Sequence, residues 1–221
     1  MTLGLRVAII DSDEFVREGR VLLLQSQPDT QIVFESGDAN AALESVADYL
    51  VDVVIVDTRI PGWKASDYLL ELATRLQLDG NDAQILAITA FGSPEFELAC
   101  LRAGAANLVS NEQGVAELLR QVKLLGARES PITRSRLEAL MSSSEIKIAP
   151  NPNVARSLNE MDSHQLAVVK AMLDGKSDTQ IARELELSRY RVAKFLESLR
   201  ISSGLRTRQQ LAIELLGFGT L

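Results

Sequence analysis

The sequence has few of the residues on which many metal-binding and redox readings depend: its 221 residues include one cysteine and one histidine. A lone Cys100 excludes an intrachain disulfide and a cysteine-rich zinc site, and a small buried apolar role on a helix is expected of it. His164 falls early in a helical stretch and is expected to be structural or exposed. No apolar run approaches the roughly 20 residues that a membrane span needs. Asp11, Asp13 and Glu14 arrive too soon for a secretory leader, so a cytoplasmic chain without a membrane partner is expected. Glycine is missing from the turn after the first apolar run. Asp11-Ser12-Asp13-Glu14 offers carboxylates where a dinucleotide-binding oxidoreductase needs a glycine-rich loop, and an enzyme is the least favoured class.

What is present is enough apolar residue, 46%, for one large core or two small ones. The net charge of −7 is unevenly spread. Residues 1–130 hold 10 Lys/Arg against 20 Asp/Glu, whereas residues 151–221 hold 10 against 8. An acidic module joined to a mildly basic one fits a regulatory domain attached to a nucleic-acid binder. Because the basic excess is small, DNA affinity must come from local clustering of cations.

The first half alternates short β-rich runs with amphipathic stretches. Leu5–Ile10, Gln31–Phe34, Val53–Val56, Gln84–Ile88 and Asn107–Val109 read as strands, and three of them are nearly continuous apolar runs suited to parallel strands covered on both faces. Helical patterns lie near 14–26, 39–50, 66–77, 95–103 and 113–125. Five such βα units predict a doubly wound, flavodoxin-like α/β domain over residues 1–126. Ser142-Ser143-Ser144 and Pro150-Asn151-Pro152-Asn153 read as linker chemistry, so 127–157 is expected to be a linker with one short helix over Ile132–Met141. Residues 158–221 predict an all-α, four-helix domain, with helices near 163–174, 178–185, 189–200 and 207–216. Asp162, Ser177 and Ser188 are expected N-caps.

Two clusters carry chemistry. Asp11 and Asp13 follow the first strand and Asp57 the third, and in a doubly wound sheet these strand ends converge. Clustered carboxylates need a cation, and oxygen-only ligands suit Mg²⁺. Thr89 ends the fourth strand, where its hydroxyl can bond a phosphoryl oxygen. The second cluster lies between Ser177 and Phe195. A short helix, a turn capped by Ser188 and a second helix bury Ile181, Ala182, Leu185, Leu187, Val192 and Phe195 along a seam, as a helix-turn-helix does. Arg189, Tyr190, Arg191 and Lys194 then open the helix that enters the major groove of double-stranded DNA in such motifs, and Arg206 and Arg208 are expected to anchor its backbone. The alternative is a solvated helix face.

These features together resemble the bacterial two-component response regulators of the NarL/FixJ family with a LuxR-type helix-turn-helix. Val54-Ile55-Val56-Asp57-Thr58-Arg59-Ile60-Pro61-Gly62 is similar to the phosphoacceptor strand and loop of a receiver domain. Leu86-Ala87-Ile88-Thr89-Ala90 is similar to the switch segment, and Ala103-Gly104-Ala105-Ala106 to the turn before the fifth strand. The segment from Met161 to about Gly217 resembles the four-helix DNA-binding domain. The resemblance implies a phosphoacceptor at Asp57, a Mg²⁺ site on Asp11 and Asp57, and a sensor histidine kinase or other regulatory partner. A single helix-turn-helix makes few contacts, so a homodimer is expected, closed by the apolar face of Leu211, Ile213, Leu215 and Leu216 in the last helix or, alternatively, by the fourth and fifth helical segments of the first domain.

The chain also departs from that pattern. Ser12 stands where the family has its second adjacent acid, Asn111 where it has a lysine, and Leu108 at its aromatic switch position. In the last domain Arg191 replaces a common Thr, Ala193 a common Lys, Phe195 a common His and Ser202 another Lys. The resulting expectation is a DNA-binding transcriptional response regulator with an atypical receiver. Its Mg²⁺ binding is weak or absent and its phosphorylation at Asp57 degenerate or absent. A conventional switch at Asp57, or an interaction adaptor that has lost DNA binding, are the alternatives.

Overall fold

The computed structural model describes residues 4–129, 132–143 and 151–218, and it divides into two compact units, Met1–Ala127 and Arg128–Leu221. Strands β1 (Leu5–Ile10), β2 (Thr30–Ser36), β3 (Val53–Asp57), β4 (Gln84–Thr89) and β5 (Asn107–Ser110) alternate with helices α1 (Glu14–Gln25), α2 (Ala39–Ser45), α3 (Ala65–Leu78), α4 (Pro94–Arg102) and α5 (Gly114–Gly126). The sheet is parallel throughout, in the order β2-β1-β3-β4-β5.

Side chains alternate across that sheet with the period of two that strands impose. Ala8, Ile10, Val54, Val56 and Ala87 face α2, α3 and α4, where Leu43, Leu69, Leu72 and Cys100 meet them. Val7, Ile9, Val53, Ile55, Leu86 and Ile88 face α1 and α5, against Val21, Leu24, Leu118, Val122 and Leu125. Burial on both faces explains why the strands read as unbroken apolar runs. The chain turns one way from β1 to β2 and the other way from β3 onward. The carboxyl ends of β1 and β3 therefore flank the crevice where this architecture places its ligands. Asp11 and Asp57 sit there. Cys100 is buried, as expected.

α2 is shorter than its pattern predicts. It stops at Ser45, and a single 3₁₀ turn over Val46–Asp48 leads to an exposed Leu50.

The second unit contains, among the described residues, α6 (Arg134–Ser143), α7 (Pro152–Glu160), α8 (Ser163–Leu173), α9 (Asp178–Glu184), α10 (Arg189–Ser202) and α11 (Arg208–Gly217). The four expected helices are α8 to α11. The end of the stretch expected as a linker is helical, which its composition does not suggest. Asn151 caps α7, its Oδ1 accepting from the Asn153 and Val154 N–H groups, and Pro152 takes the first helical position. Asn151 Nδ2 also donates to the Ser203 carbonyl at 3.0 Å, which ties α7 to the end of α10. Ser142 and Ser143 close α6, whose Leu137 and Leu140 are buried, while Ser144 and Pro150 lie outside the described residues. α10 is the hub, in contact with α7, α8, α9 and α11.

Candidate functional site

Asp11 and Asp57 are each 2% exposed, and between them lies a side chain the sequence reading did not single out. Arg20 projects from α1 with 7% of its surface exposed. Its Nη1 donates to Asp11 Oδ2, and its Nη2 to Asp57 Oδ2 at 3.2 Å and to Asn111 Oδ1 at 3.4 Å. A second guanidinium closes the other side. The Arg59 backbone N–H donates to Asp57 Oδ1 at 2.9 Å, its Nε to the same oxygen at 3.2 Å, and its Nη2 to Oδ2 at 3.4 Å. Asp11 Oδ1 accepts from the Asp13 N–H at 2.9 Å. Each of the four carboxylate oxygens thus accepts at least one N–H donor.

The electrostatics follow from this geometry. Burial alone raises both carboxyls. At Asp57 the hydrogen bonds and charge of Arg59, with the charge of Arg20, outweigh burial and hold the group below the ordinary carboxylate range. At Asp11 burial prevails over the Asp13 N–H and the Arg20 charge, and the pKa rises.

Two expected members of the crevice have other roles. The Asp13 side chain is the N-cap of α1 and accepts from the Val16 N–H at 3.1 Å, because a residue just before a helix finds unpaired amides nearer than any crevice. Thr89 does end β4, but its hydroxyl donates to the Phe91 carbonyl at 2.7 Å and accepts from the Phe91 N–H at 3.3 Å. It closes a local turn. Ser12 is exposed, with its hydroxyl 3.3 Å from the Arg59 carbonyl.

In the helical unit the seam forms as its spacing predicts. Ile181, Ala182 and Val192 are buried, and Leu185, Leu187 and Phe195 are half-buried. Ser177 forms a capping box with Gln180, and the Ser188 hydroxyl accepts from the Arg191 N–H at 3.2 Å. Glu186 takes a left-handed φ of 54° in the turn between α9 and α10, and the Leu187 N–H reaches back to the Ala182 carbonyl at 2.8 Å. Arg189, Tyr190, Arg191 and Lys194 are all exposed, and Lys194 Nζ lies 5.7 Å from the Tyr190 ring centroid. None of the three cations makes an ion pair among the described residues.

Arg208, a backbone anchor by sequence, is committed elsewhere. Its Nη1 pairs with Asp178 Oδ1 at 2.6 Å and its Nη2 donates to the Lys176 carbonyl at 2.5 Å, joining the start of α11 to the start of α9. Burial lowers its pKa, against the pull of Asp178. Arg206 is half-buried, with its backbone N–H on Gln210 Oε1 and its carbonyl on Arg200 Nη1. The apolar face of α11 is largely covered: Leu211, Ile213 and Leu215 are buried and Leu216 is half-buried, so this face is not a free dimer surface.

Residues 7–123 match the family of response regulator receiver domains. Over 94% of this chain and 92% of the relative, the sequence is 27% identical to the DNA-binding transcriptional activator DevR/DosR of Mycobacterium tuberculosis. A crystal structure of a LuxR-family two-component response regulator from Aurantimonas sp. SI85-9A1 is 28% identical with a TM-score of 0.51, covering 58% of this chain and 91% of that one. A structure of the response regulator RcsB in complex with DNA is similar in fold, with a TM-score of 0.52 at 18% identity, over 97% of this chain and 98% of that one. With the parallel five-stranded sheet and the buried Asp57 already in place, the match gives the family: the chain belongs to the response regulators that carry this receiver domain.

Proposed function

We propose that this response regulator is a DNA-binding transcriptional regulator in which α10 enters the major groove and the receiver acts on the helical unit without depending on a phosphoryl group at Asp57. The observation that carries the first part is the exposed set Arg189, Arg191 and Lys194, without ion pairs among the described residues, on the second helix of a capped helix-turn-helix. The name of the relative DevR/DosR, a DNA-binding transcriptional activator, supports it. Arg191 bonds guanine O6 and N7 in this reading, and Lys194, steadied by Tyr190, holds a backbone phosphate. Arg206 is a secondary phosphate contact. Arg208 is not a contact. Nothing in this role calls for catalysis.

The second part rests on the crevice. Receiver domains as a family bind Mg²⁺ at the phosphorylation site. The residues here do not fit that ion: Ser12 supplies no carboxylate, and the oxygens of Asp11 and Asp57 already receive N–H donors from Arg20, Arg59 and Asp13. We read the regulatory input as a protein partner or another signal that acts on the receiver directly. A single helix-turn-helix makes few contacts, so a two-fold homodimer on half-sites about one helical turn apart is proposed, with its contact on the receiver and not on α11. No helix of the described residues is long and apolar enough to cross a membrane.

Selection of genomic fragments by the full chain, followed by titration at several salt concentrations, tests the reading. Salt-dependent binding to a recurring half-site supports it. Failure to retain any fragment, with the fold intact, would favour the adaptor.

A further inference from the structure

The carboxylates of Asp11 and Asp57 are both buried at the ends of adjacent strands, and two such anions are stable side by side only when a cation neutralises them. In this chain the cation is covalently attached. Arg20 reaches the crevice from the buried face of α1, flanked by Val21 and Leu24, and touches three partners at once: Asp11, Asp57 and Asn111. A planar guanidinium suits that task, because its fork of donors serves several oxygens in one plane and its charge is not lost by deprotonation. Asn111 turns its carbonyl oxygen, not its amide nitrogen, toward Arg20. The acceptors of β1, β3 and the segment after β5 thus all converge on the same group.

We propose that Arg20 is the resident cation of the Asp57 crevice, in place of a divalent metal, so that the wild-type crevice takes up neither Mg²⁺ nor a phosphoryl group and regains a metal site only when Arg20 is cut back. Phosphoryl transfer to Asp57 needs one of its oxygens as the nucleophile and a second cation for the incoming oxygens. Both oxygens are held by guanidinium groups here, and the incoming phosphoryl would have to displace Arg20. The inference deepens the phosphate-independent part of the function proposed above. Its test is read in stability and mass, not in DNA binding, so the two can fail separately.

The experiment compares thermal unfolding of the full chain in millimolar MgCl₂ and in NaCl of matched ionic strength, for the wild type and for Arg20→Met. The wild-type midpoint is expected to be the same in both salts. The variant is expected to melt lower in NaCl and to regain part of the loss in MgCl₂, because the bared carboxylate pair now binds the ion. If Arg20→Met does not fold, Arg20→Lys takes its place: one ammonium cannot reach all three acceptors, and a smaller gain with Mg²⁺ is expected. Intact mass after treatment with acetyl phosphate and Mg²⁺ is expected to show no phosphoryl adduct on the wild type. A wild-type midpoint that rises with Mg²⁺, an adduct on wild-type Asp57, or a folded variant indifferent to Mg²⁺ would each overturn the proposal.

Discussion

Arg20, on α1, is buried against two carboxylates, whereas Arg191, on α10, is exposed and without an ion pair among the described residues. The two units have opposite uses for the same side chain. In the acidic receiver the guanidinium satisfies charges that the fold has already buried, and its removal leaves them uncompensated. In the helical unit the guanidinium is held outward by a helix whose other face, through Val192, Leu196 and Leu199, is anchored in the core. In the proposed function its interaction free energy is reserved for a polyanion. The first arrangement stabilises the unit and the second contributes to binding, and substitutions should separate them.

The largest effect is expected at Arg20. Breaking a buried ion pair from one side costs roughly 3–5 kcal/mol, and Arg20→Ala should lower the stability of the receiver by about that much. Arg6 is the control: it makes a bidentate pair with Asp52 but is a third exposed, and exposed pairs contribute at most about 1 kcal/mol. Urea unfolding of both variants measures the difference. Equal losses would remove the distinction between the two pairs.

Arg208 comes next, since it belongs to the inward class although it lies in the basic unit. Hydrogen bonds to charged groups contribute about 1.5–3 kcal/mol, so Arg208→Ala should destabilise the helical unit on that scale by freeing α11 from α9. Its salt slope for DNA binding should stay that of the wild type. A slope reduced by about one would return Arg208 to the phosphate anchors.

The sequence made the strands legible to within two residues because burial on both faces leaves runs such as Val53-Val54-Ile55-Val56 with no alternative. It also made the helix-turn-helix legible, through Ser177, Ser188 and the seam between them. It misleads at α7, where Asn151-Pro152 reads as linker composition although an Asn cap followed by Pro at the first helical position is a helix start. Arg20 went unread for a different reason. Strand ends advertise their acids, but the partner comes from a helix, where one charged residue inside an amphipathic pattern looks like noise. The available signal was position: Arg20 occupies the stripe of Val16, Val21 and Leu24, so its guanidinium had to be buried. Thr89 and Asp13 lie at the strand ends that the sequence pattern predicts, but their hydrogen bonds are local, because nearby backbone acceptors and donors outcompete a distant crevice.

Arg191 and Lys194 sharpen the outward class. Arg191→Ala should cost roughly 1–3 kcal/mol on the true site and relax preference at one position. Lys194→Ala should weaken binding to all sequences about equally and reduce the salt slope by about one unit. Filter binding on a specific and a random duplex, each over a range of salt, reads both. If the two variants behave alike, the division between base reading and phosphate contact on α10 is wrong.

The smallest expected effect couples the two classes. Asp57→Asn alters the crevice itself, so it should register in stability and hardly at all in DNA affinity. The folded pKa of Asp57 is depressed, so its stabilising contribution is present above the unfolded value near 3.9 and is lost as pH falls through the folded one. Asp11 acts in the opposite sense, because its folded pKa is raised: its support for the fold is present at low pH and is lost as pH rises through that raised value. The share of wild-type stability that Asp57 supplies should therefore be lost on acidification below about pH 4, and Asp57→Asn should show a smaller acid loss than wild type, the remainder coming from groups such as Glu117, whose pKa Arg120 and Gln121 hold down to about 2. DNA affinity of Asp57→Asn, in protein purified from its native host, should stay within about tenfold of wild type, a difference of ~1.4 kcal/mol. A larger fall would mean that a phosphoryl group on Asp57 reaches the helical unit after all, and that Arg20 yields its place when the phosphate arrives.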